Sequence, residues 1–326
     1  MQMLFNKLGV ALACALIAPA AMSADAYPSR PVTLVVAFAP GGPTDVLARI
    51  VGLGLGKALG QPVVVENRPG GGGMLGTKDV ARARADGYTV LFAGDTSLTV
   101  SPQLSRHAGY DAQKDFTPLR IVASQSNVLV ANRSKGITSV ADLIAQAKLK
   151  PGAITFGSAG VGTPSHLIGA LFAGQAGIEM LHVPYKGAGP AMTDLLGGQI
   201  DTMFVGMPVA LQNANRKELA LLAVTGDTRL PALPNVPTFA EAGIPTLGAN
   251  TAIWWGVMAP AGLPDSVRQR LDLAVQTAMN DPEVRTRLQA QGVDALNLDA
   301  AAMRTRLAQD HAKWAKVIQE QKISIE

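Results

Sequence analysis

The chain has 326 residues, of which 48% are hydrophobic and 16% are charged. This composition excludes an intrinsically disordered chain, which has fewer apolar and more charged residues. The 28 basic and 24 acidic residues are scattered along the chain and only 5% of the residues are aromatic. We therefore expect no nucleic-acid partner, because neither a basic face nor a base-stacking surface is indicated.

The N-terminal residues 1–26 are typical of a secretory signal peptide. Lys7 supplies a positive charge, residues 8–18 are apolar, and residues 24–26 fit an A-x-A cleavage site, so the mature chain should begin near Tyr27. The apolar stretch is shorter than the roughly 20 residues that span a bilayer. Two alternatives stay open: a buried N-terminal helix, and a lipoprotein anchored through Cys14.

Cys14 is also the only cysteine. If the signal peptide is removed, the mature chain has no cysteine, which excludes disulfides, thiolate catalysis and cysteine-based zinc sites. No metal and no cofactor are predicted.

Strand-like and helix-like segments alternate along the mature chain, which indicates α/β layers with mainly parallel sheets. Strands are predicted at residues 32–38, 62–66, 88–93, 121–131, 154–156, 180–183, 200–205, 219–224 and 253–259, and helices at residues 43–59, 139–149, 164–174, 190–196, 264–279, 282–291 and 300–321. Two halves are apparent. We predict one lobe from residues 27–124 plus 226–326 and a second from residues 125–225.

A loop pattern recurs at residues 38–45, 156–166 and 183–190: an apolar strand, a glycine-containing loop, and proline at the first helical position. Such a proline leaves no orphaned N–H of its own. The remaining free N–H groups and the helix dipole favour an anion. Thr163 is a natural N-cap, and Ser158 and Ser165 add hydroxyl groups. The loops predict carboxylate binding without arginine, and ordinary strand-to-helix turns are the alternative.

Two catalytic interpretations find less support. Residues 71–76 match G-x-G-x-x-G, but they follow the second strand, whereas the dinucleotide-binding fingerprint follows the first strand of its unit. The motifs G-x-S-x-G and H-E-x-x-H are absent. Ser165 and His166 are adjacent, and neighbours on a helix point apart. A secreted serine-type hydrolase using Ser165 and His166, or Ser158, remains the alternative function.

Acidic residues occur at the ends of the first and third strands. Asp45 and Arg49 are spaced for an ion pair on a helix, and Asp45 could instead accept N–H groups of its own loop. Asp95 precedes Thr96 and Ser97 after the third strand, where it could receive a ligand ammonium or hydroxyl or simply face solvent.

Other residues keep two interpretations. His166 either donates to a ligand at the start of its helix or has a structural role. Trp254 and Trp255 either pack within a strand or line a pocket.

The chain resembles the periplasmic substrate-binding receptors of tripartite tricarboxylate transporters, the Bug-type family. The matching segments are residues 27–32, 38–45, 63–70, 85–89, 156–167, 183–187, 235–238 and 255–264. The resemblance implies a type II periplasmic-binding-protein fold, with two α/β lobes around a ligand cleft. It also implies a periplasmic, monomeric, non-enzymatic protein that delivers a small carboxylate to membrane permease subunits. A receptor that signals to a sensor kinase is a further alternative.

The resemblance maps ligand binding onto loops of both lobes. The residues implied are Phe38, Ala39, Gly41, Gly42, Thr44, Asp45, Asp95, Thr96, Ser97, Ser158, Gly162, Thr163, Ser165, His166, Tyr185 and Gly187. Asp95 stands where small neutral residues are more usual in the family. We therefore rank a monocarboxylate with an amino, hydroxyl or aromatic group slightly ahead of a dicarboxylate or tricarboxylate.

Overall fold

The computed structural model describes residues 27–105, 108–248 and 251–324. The signal peptide and Cys14, both predicted within residues 1–26, lie outside the described residues. Strands lie at β1 (Val32–Val36), β2 (Val63–Asn67), β3 (Thr89–Gly94), β4 (Phe116–Gln125), β5 (Asn127–Asn132), β6 (Thr155–Ser158), β7 (Leu181–Pro184), β8 (Thr202–Gly206), β9 (Leu219–Val224), β10 (Ile253–Pro260) and β11 (Asp294–Leu298).

The described helices surround these strands. They are α1 (Pro43–Leu59), α2 (Met74–Ala81), α3 (Ser101–Leu104), α4 (Val140–Leu149), α5 (Pro164–Ala176), α6 (Ala188–Leu196), α7 (Met207–Asn213), α8 (Asp265–Asn280), α9 (Pro282–Ala290) and α10 (Ala300–Glu320). In the described part of the chain, no helix is both long and apolar enough to cross a membrane.

Two sheets define two lobes. The first lobe has the strand order β11-β4-β10-β3-β1-β2, and the second has β7-β6-β8-β5-β9. The apolar run of β1 is buried on both faces, as its composition predicts. Leu34 packs with α1 and α8 on one side of the sheet, while Val35 packs with α2 and α10 on the other. The α/β class and the two-lobe fold are confirmed.

The expectation of mainly parallel sheets is wrong. β1 pairs in parallel with β2 and β3, and β6 pairs in parallel with β7 and β8. In contrast, β10 runs antiparallel to β3 and β4, β11 to β4, and β5 to β8 and β9. Both sheets are mixed because β10 and β5, through which the chain enters the first and the second sheet from the other lobe, run against the βα units, as does β11 at the edge of the first sheet. Hydrophobic periodicity carries no information about strand direction.

The chain changes lobe within a stretch that the sequence predicts as one strand, residues 121–131. The structure breaks it at Ser126, so that β4 ends in the first sheet and β5 begins in the second. The return runs from β9 to β10 through residues 225–252. The two connections meet at the crossing, where the Asn127 N–H donates to Thr225 Oγ1 at 2.8 Å and the Thr225 N–H donates to Asn127 O at 2.8 Å.

The C-terminal helix α10 contacts both lobes. Met303 and Leu307 in its first half pack beneath the first sheet. Trp314 and Val317 in its second half join the core of the second lobe together with Phe172. The helix is therefore shared between lobes, whereas the sequence suggests that it returns to the first lobe alone.

Candidate functional site

A cleft of about 960 Å³ lies between the lobes, at the ends of β1 and β3. In open α/β sheets, ligands bind outside the carboxyl ends of the strands. The walls come from loops of both lobes and from the crossing strands. The lining residues are Phe38, Ala39, Pro40, Gly41, Gly42, Pro43, Thr44, Gly71, Gly72, Met74, Gly94, Asp95, Thr96, Ser101, Leu104, Gln125, Val161, Gly162, Thr163, Pro164, Ile253 and Trp255.

The loop before α1 is held from behind by Asp45, which is buried. Its carboxylate accepts the Gly41 N–H at 2.9 Å, the Asn67 Nδ2 amide at 2.9 Å, and the Arg49 guanidinium at 2.9 and 3.1 Å. The hydrogen bonds from Arg49 are the main cause that lowers the pKa of Asp45 to about 2. The ion pair and the loop-bracing role, predicted as alternatives, are both present.

The front of the same loop remains available to a ligand. Pro43 has no N–H, and Asp45 takes the N–H of Gly41, so the Thr44 amide is the first free donor of α1. Trp255 Nε1 donates to Thr44 Oγ1 at 3.1 Å. Because a hydroxyl both accepts and donates, Thr44 can still donate its own proton into the cleft. Trp255, which lines the cleft, thus orients one of the groups that a carboxylate would meet.

The second-lobe loop is fastened from below by Ser158 and His182. Ser158 is completely buried, and its Oγ lies 2.6 Å from His182 Nε2. The same hydroxyl accepts the Gly160 N–H at 3.1 Å and donates to Gly160 O at 3.1 Å. Ser158 therefore shapes the loop and does not line the cleft wall.

His166 holds the same loop at a second point. Its Nδ1 accepts the Gly162 N–H at 3.1 Å, which fixes the neutral ring with its proton on Nε2. Gly162 has a φ of +75°, a conformation that favours glycine. Burial, with a smaller contribution from His182, lowers the pKa of His166 to about 4, and burial likewise lowers the pKa of His182 to about 4. Both rings are neutral at physiological pH.

Hydroxyl groups complete the loop. Thr163 Oγ1 donates to Gly160 O at 2.7 Å and lies 3.1 Å from Ser165 Oγ, which accepts the Ala159 N–H at 3.0 Å. Thr163 occupies the N-cap position of α5 as predicted, but its side chain makes no capping bond to the helix. Its hydroxyl instead donates to Gly160 O and so closes the loop.

Asp95 follows β3 directly, before the π-helical segment Thr96–Val100 that leads into α3, and it lines the cleft with only 6% of its surface exposed. Its Oδ1 accepts the Thr96 hydroxyl at 3.2 Å. Burial and the nearby Asp310 carboxylate raise the pKa of Asp95 to about 7, against the lowering effect of Arg306 and Lys313. Among the cleft-lining residues in the described part of the chain, Asp95 is the one with a charged side chain.

Comparisons with known proteins agree with this geometry. The model of the tripartite tricarboxylate transporter family receptor matches residues 47–323. The chain belongs to this family. It is 37% identical over 321 residues to the protein BugT of Bordetella pertussis, covering 98% of each chain.

Solved structures of the family have the same fold. The periplasmic binding protein BugD superposes with a TM-score of 0.73 at 34% identity, covering 91% of this chain and 99% of that one. Rpa4515 of R. palustris, solved with adipate, superposes with a TM-score of 0.76 at 34% identity, again covering 91% and 99%. The chain is thus a periplasmic solute-binding protein of this receptor family.

Within this receptor fold, the sixteen residues implied by the sequence divide into two groups. Those that line the cleft are Phe38, Ala39, Gly41, Gly42, Thr44, Asp95, Thr96, Gly162 and Thr163. Those that do not line it are Asp45, Ser97, Ser158, Ser165, His166, Tyr185 and Gly187. Within this second group, Asp45, Ser158 and His166 hold the loops through the hydrogen bonds described above.

Three members of the second group have particular partners. Ser97 is buried and donates to Gly94 O at 3.0 Å. The Tyr185 hydroxyl donates to Asp194 at 2.7 Å, and burial and this carboxylate raise its pKa to about 12. The Gly187 N–H donates to Ala159 O at 3.2 Å, which ties the third glycine loop to the second.

Sequence reasoning missed several residues of the wall. Met74, Leu104, Gln125 and Ile253 line the cleft and come from helices and crossing strands. Gly71 and Gly72 also line it, so the glycine run that resembles a nucleotide-binding motif supplies a bare wall of the cleft. In the sequence, an apolar residue that lines the cleft looks the same as one that packs in the core, because no local signal distinguishes the two.

Proposed function

We propose that the cleft captures a small carboxylate, encloses it between the two lobes, and delivers it to the membrane permease of a tripartite transporter without converting it. The observation that carries the proposal is the pair of loops facing each other across the cleft. Each loop leads into a helix through proline, and the first also presents the Thr44 hydroxyl, whereas the Thr163 hydroxyl donates to Gly160 O within its own loop. Such helix starts attract an anion without a basic side chain.

The nature of the wall supports a ligand with one carboxylate and an apolar body. Phe38, Met74, Leu104 and Trp255 give the cleft an apolar surface, and Asp95 gives it a negative one. A carboxylic acid bearing an amino, hydroxyl or aromatic group fits both features. The adipate bound to Rpa4515 supports the broader class of carboxylates and keeps dicarboxylates among the candidates.

Closure requires the ligand to contact both lobes, since a ligand that binds the open and closed forms equally does not shift the equilibrium between them. The crossing at Ser126 and Thr225 is where the lobes would turn, because the connections between the two sheets pass there. We expect a monomer to be sufficient, since the cleft is built within one chain. An affinity in the micromolar range corresponds to about −8 kcal/mol.

The hydrolase alternative has one specific observation in its favour, the 2.6 Å contact between Ser158 Oγ and His182 Nε2. That serine is completely buried, and its hydroxyl is already engaged with both backbone groups of Gly160. A nucleophile must reach its substrate, so we assign this pair a structural role. Neither the wild type nor Ser158→Ala should hydrolyse an ester or an amide, and turnover by the wild type that is lost in Ser158→Ala would favour the hydrolase.

Isothermal titration calorimetry with a carboxylate panel tests the proposal. The panel is hexanoate, hexanedioate (adipate), 6-hydroxyhexanoate, 6-aminohexanoate, benzoate, malate and citrate, with hexan-1-ol and hexylamine as uncharged and cationic controls. Binding of at least one acid and neither control is expected. Equal binding of hexan-1-ol and hexanoate would contradict carboxylate recognition, and absence of binding across all the acids would overturn the proposal.

Two further measurements address location and partner. Sequencing the N-terminus of the protein recovered from the periplasm should show a start near Tyr27. The loaded receptor should be captured by permease subunits of a tripartite transporter in detergent. Capture by the sensor domain of a kinase instead would favour the signalling alternative, in which the chemistry of the cleft is unchanged.

A further inference from the structure

An anionic ligand entering this cleft meets no positive side chain. Among the cleft-lining residues that the structure describes there is no Lys, Arg or His, and Asp95 is negative when ionised. Two carboxylates in a low-dielectric site repel one another unless one of them is protonated. The wall therefore requires a means of removing its own negative charge when a ligand carboxylate comes close to it.

Asp95 differs from the other buried carboxylates in how few donors it has. Asp310, 1% exposed, accepts Trp254 Nε1 at 2.7 Å, Arg306 Nε at 2.8 Å and Lys313 Nζ at 2.7 Å. Asp95, nearly as buried, accepts a side-chain hydrogen bond from Thr96 alone within the described part of the chain. Buried carboxylates remain ionised when donors surround them. Three donors, two of them cationic, surround the Asp310 carboxylate, whereas one hydroxyl reaches that of Asp95.

The charges facing Asp95 hold it between its two protonation states. On α10, Arg306 and Lys313 both pair with Asp310, so this cluster carries one net positive charge. Asp310 favours protonation of Asp95, and the two cations oppose it. On the π-helical segment that follows Asp95, Thr96 contributes only a hydroxyl. Across the cleft, Val161, Gly162, Thr163 and Pro164 bring no titratable side chain to the wall.

We propose that Asp95 takes up a proton when the second carboxylate of a bound dicarboxylate reaches it, and loses its proton when a ligand presents an ammonium group there. The inference rests on the proposed function and specifies how the cleft recognises the group at the other end of the ligand from its first carboxylate. Asp95 thereby acts as a specificity-determining residue whose charge adapts to that of the ligand.

The proton comes from water and ends on a carboxylate oxygen of Asp95. The resulting O–H group donates a hydrogen bond to the ligand carboxylate, replacing repulsion with a charge-assisted bond. With an ammonium, the ionised Asp95 is the acceptor and the proton returns to water. A pKa of Asp95 raised to about 7 makes both exchanges possible at neutral pH.

The experiment measures proton exchange by calorimetry at pH 7 in phosphate and in Tris, whose ionisation enthalpies differ. Hexanedioate and 6-aminohexanoate have the same chain length and titrate far from pH 7. Because the pKa of Asp95 is raised to about 7, uptake of a fraction of a proton is expected with hexanedioate, and release of a fraction of a proton is expected with 6-aminohexanoate. Hexanedioate affinity should also fall by up to about tenfold per pH unit above pH 7.

Asp95→Asn removes the titrating group at nearly constant shape. It should bind hexanedioate without proton exchange and with an affinity that is constant from pH 6 to 8. Asp265→Asn, at an exposed aspartate on α8, is the matched control and should behave as wild type. The two histidines beneath the second-lobe loop are neutral throughout this range and do not contribute.

The outcomes separate this inference from the proposed function. Hexanedioate binding to the wild type with no proton uptake would overturn the inference and leave carboxylate capture intact. Equal uptake by Asp95→Asn would place the proton elsewhere. Failure of every dicarboxylate while other acids bind would also overturn it, because the mechanism requires a second carboxylate in the cleft. Failure of every acid would overturn the proposed function itself.

Discussion

His166 and His182 stack face to face beneath the second-lobe loop, with ring centroids 3.7 Å apart and planes 3° from parallel. Phe156 continues the stack, 4.9 Å from His182. Two positive rings at this distance would repel each other strongly in a partly buried site. The arrangement therefore depends on neutral imidazoles, and it supports the loop that carries Gly162 and Thr163 into the cleft.

The histidine stack should make stability sensitive to acid. The folded pKa of His166, about 4, lies below its unfolded value near 6.5, so the unfolded chain binds more protons between these pH values. Folding stability from this residue is complete above pH 6.5 and is lost as the pH falls toward 4. The loss should be on the order of 2–3 kcal/mol.

His166→Asn isolates this contribution, because the Asn oxygen can still accept the Gly162 N–H. Urea unfolding should show that the variant has a lower free energy of unfolding than the wild type at pH 7, and that this difference is smaller at pH 4.5. His311→Asn, at an exposed position on α10, should have a free energy of unfolding close to that of the wild type at both pH values. If the difference in free energy of unfolding between His166→Asn and the wild type were the same at both pH values, His166 would not be a source of the acid sensitivity.

Asp45→Ala should destabilise the first lobe and disorganise the wall of the cleft. The change leaves the Gly41 N–H without its acceptor and removes one of the two acceptors of the Asn67 amide, which corresponds to about 2–4 kcal/mol. Urea unfolding measures this loss, and carboxylate affinity should fall with it. Lys316→Ala, which breaks an exposed pair with Glu320, should change stability by less than about 0.5 kcal/mol.

The same residue predicts a second, separate pH effect. The pKa of Asp45 is lowered to about 2, chiefly by Arg49, so its contribution is present above about pH 4 and is lost as the pH falls toward 2. Asp45→Asn should be less stable than wild type at pH 5 and should approach it at pH 2.5. Acid unfolding curves that stay parallel would show that the carboxylate charge has no such role.

Trp255 should report ligand binding by its fluorescence. Of the three tryptophans, Trp255 lines the cleft, whereas Trp254 is buried against Asp310 and Trp314 is buried in the second-lobe core. Binding of an acid from the panel should change the emission of the wild type. The change should persist in Trp314→Phe and vanish in Trp255→Phe, with calorimetry confirming whether the latter still binds. Persistence in Trp255→Phe would place the ligand elsewhere.

Gly73→Ala should weaken both folding and binding. A Cβ at Gly73 would lie 2.9 Å from Phe38 Cζ and 2.9 Å from Ser97 Cβ, and so would push a lining side chain into the cleft. Gly60→Ala is a matched control, since Gly60 also has a positive φ but a Cβ there meets open space. The control should lose about 1–2 kcal/mol from backbone strain alone, and Gly73→Ala a further 1–3 kcal/mol, roughly, from overpacking.

Affinity distinguishes these two glycine variants more sharply than stability does. Gly60→Ala should bind a carboxylate as wild type does, because the end of α1 is far along the helix from the cleft. Gly73→Ala should bind at least several-fold more weakly. Equal affinity of the two variants would show that the position of Phe38 does not matter for the ligand.

The βα units could be predicted from the sequence because burial on both faces of a strand and capping of a helix are local signals. The run at β1 and the proline before α1 show both. The change of sheet at Ser126 could not be predicted, because the polar residues 124–127 interrupt the apolar run but do not indicate which sheet each part joins. Short elements such as α7 and β11 give too few turns or alternations to establish a period.

The candidate site follows the same division. Thr44, Gly162 and Thr163 could be predicted because each lies within one continuous loop motif. The contact of Ser158 with His182, 24 residues away, and the approach of α10 to Asp95 depend on tertiary packing and leave no local trace. Sequence reasoning therefore located the loops and could not distinguish the residues that form the wall from those that support it.

The most direct test of carboxylate capture by main-chain amides and hydroxyls is a crystal structure with the tightest-binding acid of the panel. The account predicts a closed cleft in which the carboxylate oxygens lie within hydrogen-bond distance of Thr44 and of the loop that begins α5, and in which no Lys or Arg contacts them. A carboxylate paired with a basic side chain outside the cleft, while the amides face other protein atoms, would contradict it.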